Sequence, residues 1–287
     1  MYQIVSKKEL NPTVTQMEIS APLVANKAKA GQFIILRVDE AGERIPLTVA
    51  GTNKQRGTVK IIFQIVGATT EKLNHKQAGE YLEDFVGPLG VPTKIENLKK
   101  VCVVGGGVGC AIALPVAEAL KQQGAEVTSI IGFRSKDLLI LEEEFAACSN
   151  QLIVMTDDGF YGTKGNVTQP LKQLLESGER FDEIITIGPL VMMKFVTLTA
   201  KPYQIPVTAS MNPIMIDGTG MCGGCRLTLR QGGKRVTRFA CIDGPDFNAY
   251  EIDFDEAISR GRAYLDFERM AHENACNLFK NAQGGKN

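Results

Sequence analysis

The strongest constraint on the fold is a segment in which one aspartate, two cysteines and four glycines fall within nine residues. It reads Asp217-Gly-Thr-Gly-Met-Cys222-Gly-Gly-Cys225, and Cys241 follows further along. Four residues separate Asp217 from Cys222 and two separate Cys222 from Cys225, which is the plant-type [2Fe–2S] spacing with aspartate first. Two sulfide-bridged irons need four anionic ligands close together, and glycines let the backbone wrap them. The pattern predicts a [2Fe–2S] cluster held by Asp217, Cys222, Cys225 and Cys241.

Two other interpretations of the same residues stay open. The four side chains could hold a structural zinc ion, although an oxygen ligand is less favoured than sulfur at a closed zinc site. The cysteines could also carry no metal. The remaining cysteines are isolated in the sequence and are interpreted as packing residues: Cys102, Cys110, Cys148 and Cys276.

A glycine-rich turn separates a short apolar strand, Val101–Val104, from a helical stretch, Ala111–Gln123. Such a turn lets phosphate oxygens approach backbone N–H groups at a helix N-terminus. The dinucleotide fingerprint G-x-G-x-x-G is incomplete, because Cys110 holds the third glycine position. The turn therefore indicates either a dinucleotide site or tight packing, and its glycines are Gly105, Gly106, Gly107 and Gly109.

The pattern of strands and helices divides the 287 residues into three regions. Residues 1–98 contain short β-branched runs broken by turn residues, which predicts a small antiparallel barrel. Residues 99–205 alternate strand and helix, which predicts a parallel sheet covered by helices, with ligands beyond the carboxyl ends of its strands. Residues 206–287 begin with the Gly-, Cys- and Met-rich segment and end in a helix predicted over 251–279, where Tyr264, Phe267, Met270 and Ala271 have helical spacing.

Charge and hydropathy exclude some classes of function. Lys and Arg together number 32, as do Asp and Glu, so a basic face for nucleic acid is not expected. The start of the chain lacks the apolar core of a signal peptide. The apolar stretch 101–120 contains glycines and Glu118 and reads as a buried strand, turn and helix. A cytoplasmic protein that binds neither nucleic acid nor membrane is expected.

The order of barrel, glycine-rich α/β domain and iron–sulfur loop resembles the ferredoxin–NADP reductase superfamily. Within it, the chain is similar to electron-transfer subunits of the dihydroorotate dehydrogenase type. Aspartate at the first ligand position resembles a narrower group, the small subunits of NADH-dependent reduced ferredoxin:NADP+ oxidoreductases. The stretches that carry the resemblance are Asp217–Cys225, Phe239–Pro245, Thr156–Gly159 and Gly132–Asp137.

The resemblance implies that FAD binds to the barrel. Arg44-Ile-Pro46-Leu47-Thr48 stands where the family has an Arg-x-aromatic-Ser/Thr motif, in which the arginine meets the pyrophosphate and the hydroxyl approaches flavin N5. Here the aromatic residue is absent and Arg44 lies one residue further from the threonine, so a surface position for Arg44 is the alternative. Further contacts to FAD are implied for Phe63, Gln64, Gly67, Thr69 and Thr70.

The resemblance also implies a nicotinamide nucleotide on a Rossmann-like second domain. The glycine turn would meet the phosphates, and Gly188-Pro189 matches the family's Cys-Gly-Pro turn with Ile187 in place of cysteine. Asp157 and Asp158 could bind ribose hydroxyls or could form a solvated turn. Arg134 and Ser135 follow the second strand and could bind a 2′-phosphate, whereas the narrower resemblance points to NAD(H).

The implied function is electron transfer between NAD(H), FAD and the cluster, and onward to a larger flavin and iron–sulfur subunit. In the family that heterodimer bifurcates electrons and reaches ferredoxin through the complex. Hydride transfer needs no side-chain acid or base, so no catalytic residue is predicted. Two alternatives remain: the electron-transfer subunit of dihydroorotate dehydrogenase, and a zinc-stabilised binding module without flavin.

Overall fold

A computed structural model describes residues 1–263 of the chain. The N-terminal part is a nearly closed antiparallel barrel of seven strands. Its elements are β1 (Tyr2–Asn11), β2 (Val14–Ser20), α1 (Pro22–Lys27), β3 (Phe33–Arg37), β4 (Arg44–Asn53), β5 (Thr58–Gln64), α2 (Ala68–His75), β6 (Tyr81–Leu82) and β7 (Asp84–Leu89). Their order in the sheet is β6-β1-β2-β5-β4-β3-β7. The predicted barrel is confirmed, with two short helices added to it.

Alternation along the strands explains why this sequence forms a barrel. On β5, Val59, Ile61 and Phe63 point into the barrel core and are almost fully buried. Ile62 faces the other way and packs in the core of the second domain. Period-two alternation with both faces buried is expected where a barrel wall also covers a neighbouring domain.

The second sheet is built from alternating strands and helices. The remaining elements are β8 (Lys100–Gly106), α3 (Gly109–Gln122), β9 (Glu126–Phe133), α4 (Glu142–Cys148), β10 (Gln151–Thr156), β11 (Thr163–Lys164), α5 (Thr168–Glu176), β12 (Glu183–Ile187), α6 (Leu190–Ala200), β13 (Val207–Ser210), β14 (Arg226–Gln231), β15 (Lys234–Phe239), α7 (Ala240–Asp243), β16 (Asp246–Asn248) and α8 (Phe254–Gly261). The sheet order is β11-β10-β9-β8-β12-β13-β16.

The pairs from β11 to β13 are parallel, as predicted, and only β16 joins the edge antiparallel. The strand order reverses at β8, which has β9 on one side and β12 on the other. Crevices for ligands form at such a switch point, beyond the carboxyl ends of the strands.

The region from residue 206 onward shares its structure with the second domain. Strands β13 and β16 complete the parallel sheet, while β14 and β15 form a separate hairpin. Gly232 and Gly233 turn this hairpin with φ of 57° and 78°, which suits a two-residue turn. Within the helix predicted over 251–279, the described residues form α8, which ends at Gly261; Tyr264, Phe267, Met270 and Ala271 lie outside the described residues.

A shared core links the fold to the site. One buried core joins Phe33 and Ile35 of the barrel to Cys225 and Cys241, so the barrel and the cysteine segment pack as one body.

Among residues 1–263, no helix has the length and apolar character needed to cross a membrane.

Candidate functional site

A cleft of about 860 Å³ runs between the barrel and the carboxyl ends of the parallel sheet. It brings together sequence-predicted residues from both domains. From the barrel it contains Pro46, Leu47, Thr48, Phe63, Gln64 and Thr70, and from the α/β domain Gly106, Gly107, Gly109, Asp157, Gly188 and Pro189.

Glycine is required at position 109, where β8 and β12 meet in this cleft, because the atoms it approaches belong to the backbone. A Cβ on Gly109 would lie 2.5 Å from the carbonyl oxygen of Ile187, and a Cβ on Gly106 would lie 2.3 Å from Sδ of Met192. Gly105 lies behind the cleft surface, where its Cβ would be 2.9 Å from Sγ of Cys110. The glycine turn therefore serves packing and an open crevice together.

Helix α3 begins at Gly109, so the positive end of its dipole faces the cleft. An anionic phosphate is favoured at such a position. Asp157 is exposed and borders the cleft after β10. Asp158 lies outside the cleft lining, and its Oδ1 accepts a hydrogen bond from the backbone N–H of Phe160 at 3.1 Å, as in a local turn.

The barrel side of the cleft is formed by neighbouring strands. Thr48 on β4 lies opposite Phe33 on β3, and Phe63 and Gln64 end β5 nearby. Leu47, Phe33 and Phe63 give this half an apolar wall, while Thr48 and Gln64 supply polar groups. An apolar cleft with few polar groups suits a planar aromatic ring.

Three predicted flavin residues lie outside the cleft lining. Arg44 is 3.3 Å from Oδ2 of Asp84 through its Nη2 and is largely exposed. Thr69 donates to Oε2 of Glu43 at 3.1 Å. Gly67 precedes α2, and its N–H donates to the Thr70 hydroxyl at 3.1 Å.

Arg134, which follows the second strand of the parallel sheet, also lies in the cleft. The cleft contains further polar residues that the sequence motifs did not indicate: Asn11, Thr13, Asn166, Ser210 and Asn212. Most lie in turns or at strand ends far from any motif. For Arg134, Ser210 and Asn212 a signal existed, since each lies at or just after the end of a parallel strand.

The glycine–cysteine loop folds around its own aspartate. Asp217 accepts hydrogen bonds from the N–H groups of Thr219, at 2.8 Å to Oδ1, and Cys222, at 2.7 Å to Oδ2. These N–H groups, Thr219 first, lower the pKa of Asp217 below its ordinary value. The φ angles of Gly218 and Gly220 are 74° and 85°, a conformation that glycine adopts without strain.

The hairpin of β14 and β15 brings the other two cysteines together. Cys225 precedes β14 and Cys241 follows β15, and their Sγ atoms are 3.1 Å apart. Both are buried, whereas Cys222 is exposed. Burial, with Cys225 as neighbour, raises the pKa of the Cys241 thiol to about 12.

The four side chains therefore form two pairs, Asp217 with Cys222 and Cys225 with Cys241. In the described part of the chain, no three His, Cys, Asp or Glu side chains gather as ligands of one ion. Two pairs of anionic donors suit a two-iron group, in which each iron takes two protein ligands. The donor set and the glycine cradle thus fit a [2Fe–2S] cluster.

Barrel, parallel sheet, shared cleft and cysteine loop define a class, the flavin- and nicotinamide-dependent electron-transfer oxidoreductases. Residues 212–253 match the family model for the iron–sulfur cluster binding domain of dihydroorotate dehydrogenase B. A Thermotoga maritima protein, described as an electron transfer subunit homolog of dihydroorotate dehydrogenase B (NAD(+)), is 44% identical over 271 residues. The match covers 94% of each chain. The subunit itself from Streptococcus pneumoniae R6 is 32% identical over 250 residues, covering 85% of this chain and 94% of that one.

A solved structure gives a similar result. A chain of the NADH-dependent reduced ferredoxin-NADP oxidoreductase, described for flavin-based electron bifurcation, is 42% identical with a TM-score of 0.89. The match covers 96% of this chain and 97% of that chain.

The chain belongs to the family of dihydroorotate dehydrogenase B electron transfer subunits and their homologs. The predicted oxidoreductase class and the cofactor set of FAD, a [2Fe–2S] cluster and NAD(H) are confirmed at the level of this family. A zinc-stabilised module without flavin is therefore displaced as an interpretation.

Proposed function

We propose that this chain is the electron-transfer subunit of an electron-bifurcating ferredoxin:NADP+ oxidoreductase and exchanges electrons between NAD(H) and a larger flavin and iron–sulfur subunit. One observation carries the proposal. The cleft that joins the two predicted cofactor sites is also lined by Ser210 and Met215, and Asp217 of the cysteine loop follows two residues after Met215. The proposed nucleotide, flavin and cluster sites would thus lie along one continuous path.

The α/β half of the cleft would bind NAD(H). Gly106, Gly107 and Gly109 line the cleft at the start of α3, where the helix dipole would favour the charge of the pyrophosphate. Asp157 borders the same half and would accept hydrogen bonds from ribose hydroxyls. Gly188 and Pro189 would flank the nicotinamide, with Ile187 supplying only its backbone and an apolar side chain.

The barrel half would bind the isoalloxazine of FAD. Thr48 is the proposed donor near flavin N5, and Pro46, Leu47, Phe63 and Gln64 would pack around the ring. Thr70 lies where it would approach the pyrophosphate. Arg44, Thr69 and Gly67 would reach the cofactor only by leaving their present hydrogen bonds and ion pair.

The cluster would be held by Asp217, Cys222, Cys225 and Cys241. Bound together, flavin and cluster supply the conversion between two-electron hydride exchange and one-electron transfer. The buried pair, Cys225 and Cys241, faces the core shared with Phe33 of the barrel. The pair formed by Asp217 and the exposed Cys222 faces outward, where a partner subunit would dock.

The aspartate at position 217 and the 42% identity to the bifurcating oxidoreductase chain support a partner of that type. The 32% identity to dihydroorotate dehydrogenase B subunits supports the second candidate, a dihydroorotate-oxidising partner.

The proposal is tested by anaerobic purification of the native complex, with the subunit that copurifies identified by mass spectrometry. We expect flavin and iron–sulfur absorption in this chain, bleaching by NADH, and NADH-dependent reduction of NADP+ coupled to reduced ferredoxin. Oxidation of dihydroorotate by the complex would favour the second candidate. A colourless chain after cofactor reconstitution would overturn both.

A further inference from the structure

The segment between β13 and the cysteine loop separates the cleft from the cluster site. Its side chains alternate sharply in exposure: Ile214 is 48% exposed, Met215 is 4% exposed and Ile216 is 52% exposed. Met215 is thus the inward-facing residue of this segment and lies two residues before Asp217. Its side chain borders the cleft.

Met215 packs into a buried core that contains residues from both sides of this segment. That core contains Phe33 on the flavin side of the cleft and Cys225 and Cys241 on the cluster side. The cysteine loop itself rests on the barrel, because a Cβ on Gly218 would lie 2.7 Å from Leu89 Cδ1 and 2.9 Å from Ile35 Cδ1. Met215 belongs to the same buried core as residues on both sides.

On its outer side, the backbone of this segment lies in ordinary van der Waals range of the ligand loop. A Cβ on Gly224 would lie 3.4 Å from the carbonyl oxygen of Ile214 and 3.6 Å from Sγ of Cys222. Met215 therefore follows a residue whose backbone carbonyl lies beside the loop that carries the ligands. Methionine suits such a place, since its flexible, polarisable side chain fills irregular gaps.

We propose that Met215 is a positioning residue that fills the space between the flavin half of the cleft and the [2Fe–2S] loop, so that electrons cross through packed atoms. The inference rests on the proposed function. The transfer concerned moves one electron from reduced flavin to oxidised cluster, with the flavin proton released to solvent. Electron tunnelling is faster through packed protein than across a gap, so packing density at residue 215 sets this rate.

The test compares three variants of the holoenzyme. Met215→Ala removes the packing, and Met215→Leu keeps the volume. Met193→Ala is the matched control, because Met193 is also fully buried in the same core but lies on α6 outside the cleft lining. Each is mixed anaerobically with NADH, and flavin bleaching and the EPR signal of the reduced cluster are followed separately.

We expect flavin bleaching to be unchanged in Met193→Ala. In the two Met215 variants it is measured for comparison with the rate of cluster reduction, because Met215 borders the cleft. Cluster reduction should slow by roughly tenfold in Met215→Ala alone, because empty space replaces atoms in contact. Met215→Leu should restore it. Cofactor content and the midpoint potentials of both groups, measured by redox titration, should equal those of the parent, which separates a lost path from a changed driving force.

Equal rates of cluster reduction in Met215→Ala and the parent would overturn the inference while leaving the proposed function intact. The same holds if Met193→Ala slows cluster reduction as much as Met215→Ala does. A shifted cluster potential that accounts for the slower rate would also overturn it. If Met215→Ala does not retain its cluster, Met215→Val gives a smaller truncation for the same comparison. A parent protein without flavin or cluster would instead reject the proposed function.

Discussion

The Sγ atoms of Cys225 and Cys241 lie 3.1 Å apart in the buried core. The hairpin causes this approach, because β14 and β15 pair Arg226 with Phe239 and the Cys225 carbonyl accepts the Ala240 N–H at 3.0 Å. Two thiols at this distance, too long for a disulfide bond, are placed to share one metal atom.

Replacing Cys225 should therefore abolish the cluster. We expect Cys225→Ser to lose iron and the EPR signal of the reduced cluster, while FAD content and NADH-dependent flavin bleaching persist. Cys148→Ser is the control, because Cys148 is also buried but lies on α4 away from the loop. Full iron content in Cys225→Ser would remove Cys225 from the ligand set.

The ligand role of Asp217 has a separate test. Asp217→Cys should keep two irons per chain, because thiolate is the usual donor at this spacing. Its midpoint potential should shift, since ligand type and hydrogen bonding set the potential. EPR-monitored redox titration measures the shift. A potential equal to that of the parent would show that Asp217 does not bind iron.

Gly109→Ala tests the nucleotide end of the cleft. The new Cβ would collide with the carbonyl oxygen of Ile187. The collision would lower the folding stability by roughly 1–3 kcal/mol, or the backbone would shift to relieve it and narrow the cleft. We expect weaker NADH binding by titration with flavin and cluster retained. Gly261→Ala on α8 adds the same methyl group in open space and should bind NADH normally. An equal loss of NADH binding in both variants would contradict the assignment of this end of the cleft to the nucleotide.

Thr48→Val tests the flavin end. The substitution keeps the shape of the side chain and removes its hydroxyl, so about 1 kcal/mol of flavin binding should be lost, or roughly fivefold in affinity. Thr52→Val, on the exposed end of the same strand, should leave flavin affinity unchanged. Fluorescence titration of the apoprotein with FAD measures both, and parental affinity in Thr48→Val would exclude Thr48 as a contact.

A pH-dependent contribution to stability is expected from Asp182. Its Oδ2 accepts the N–H groups of Lys100 at 2.9 Å and Lys99 at 2.7 Å, and these bonds, Lys100 first, lower its pKa in the folded state. Because the folded pKa lies below the unfolded one, the stabilisation is present above about pH 4 and is lost as pH falls further.

The measurement is the unfolding midpoint as a function of pH. Asp182→Asn should unfold more easily than the parent at pH 7, and the difference should shrink below about pH 4. Asp137→Asn, at another exposed position of the same domain, serves as the control and should leave the midpoint unchanged. A difference for Asp182→Asn that stays constant down to low pH would contradict the assignment.

The order of folding units could be predicted because their signals are local. Short β-branched runs broken by turn residues indicated the barrel, and the alternation of strands and helices over residues 99–205 indicated the parallel sheet. The spacing from Asp217 to Cys225 indicated the cluster in the same way. For Arg44 and Thr69, by contrast, local motifs could not indicate the ion pair with Asp84 and the hydrogen bond to Glu43.

Sequence by itself determined which residue types occur at which spacing, and so the kind of chemistry that this chain can support. Tertiary structure alone decided that Thr48, Gly188 and Met215 border one cleft. It also decided that the Sγ atom of Cys241 lies beside that of Cys225 and not beside that of another cysteine. The physical reason is that these neighbours are fixed by strand pairing and by burial of a shared core. Both depend on contacts between residues far apart in the chain, which no local pattern encodes.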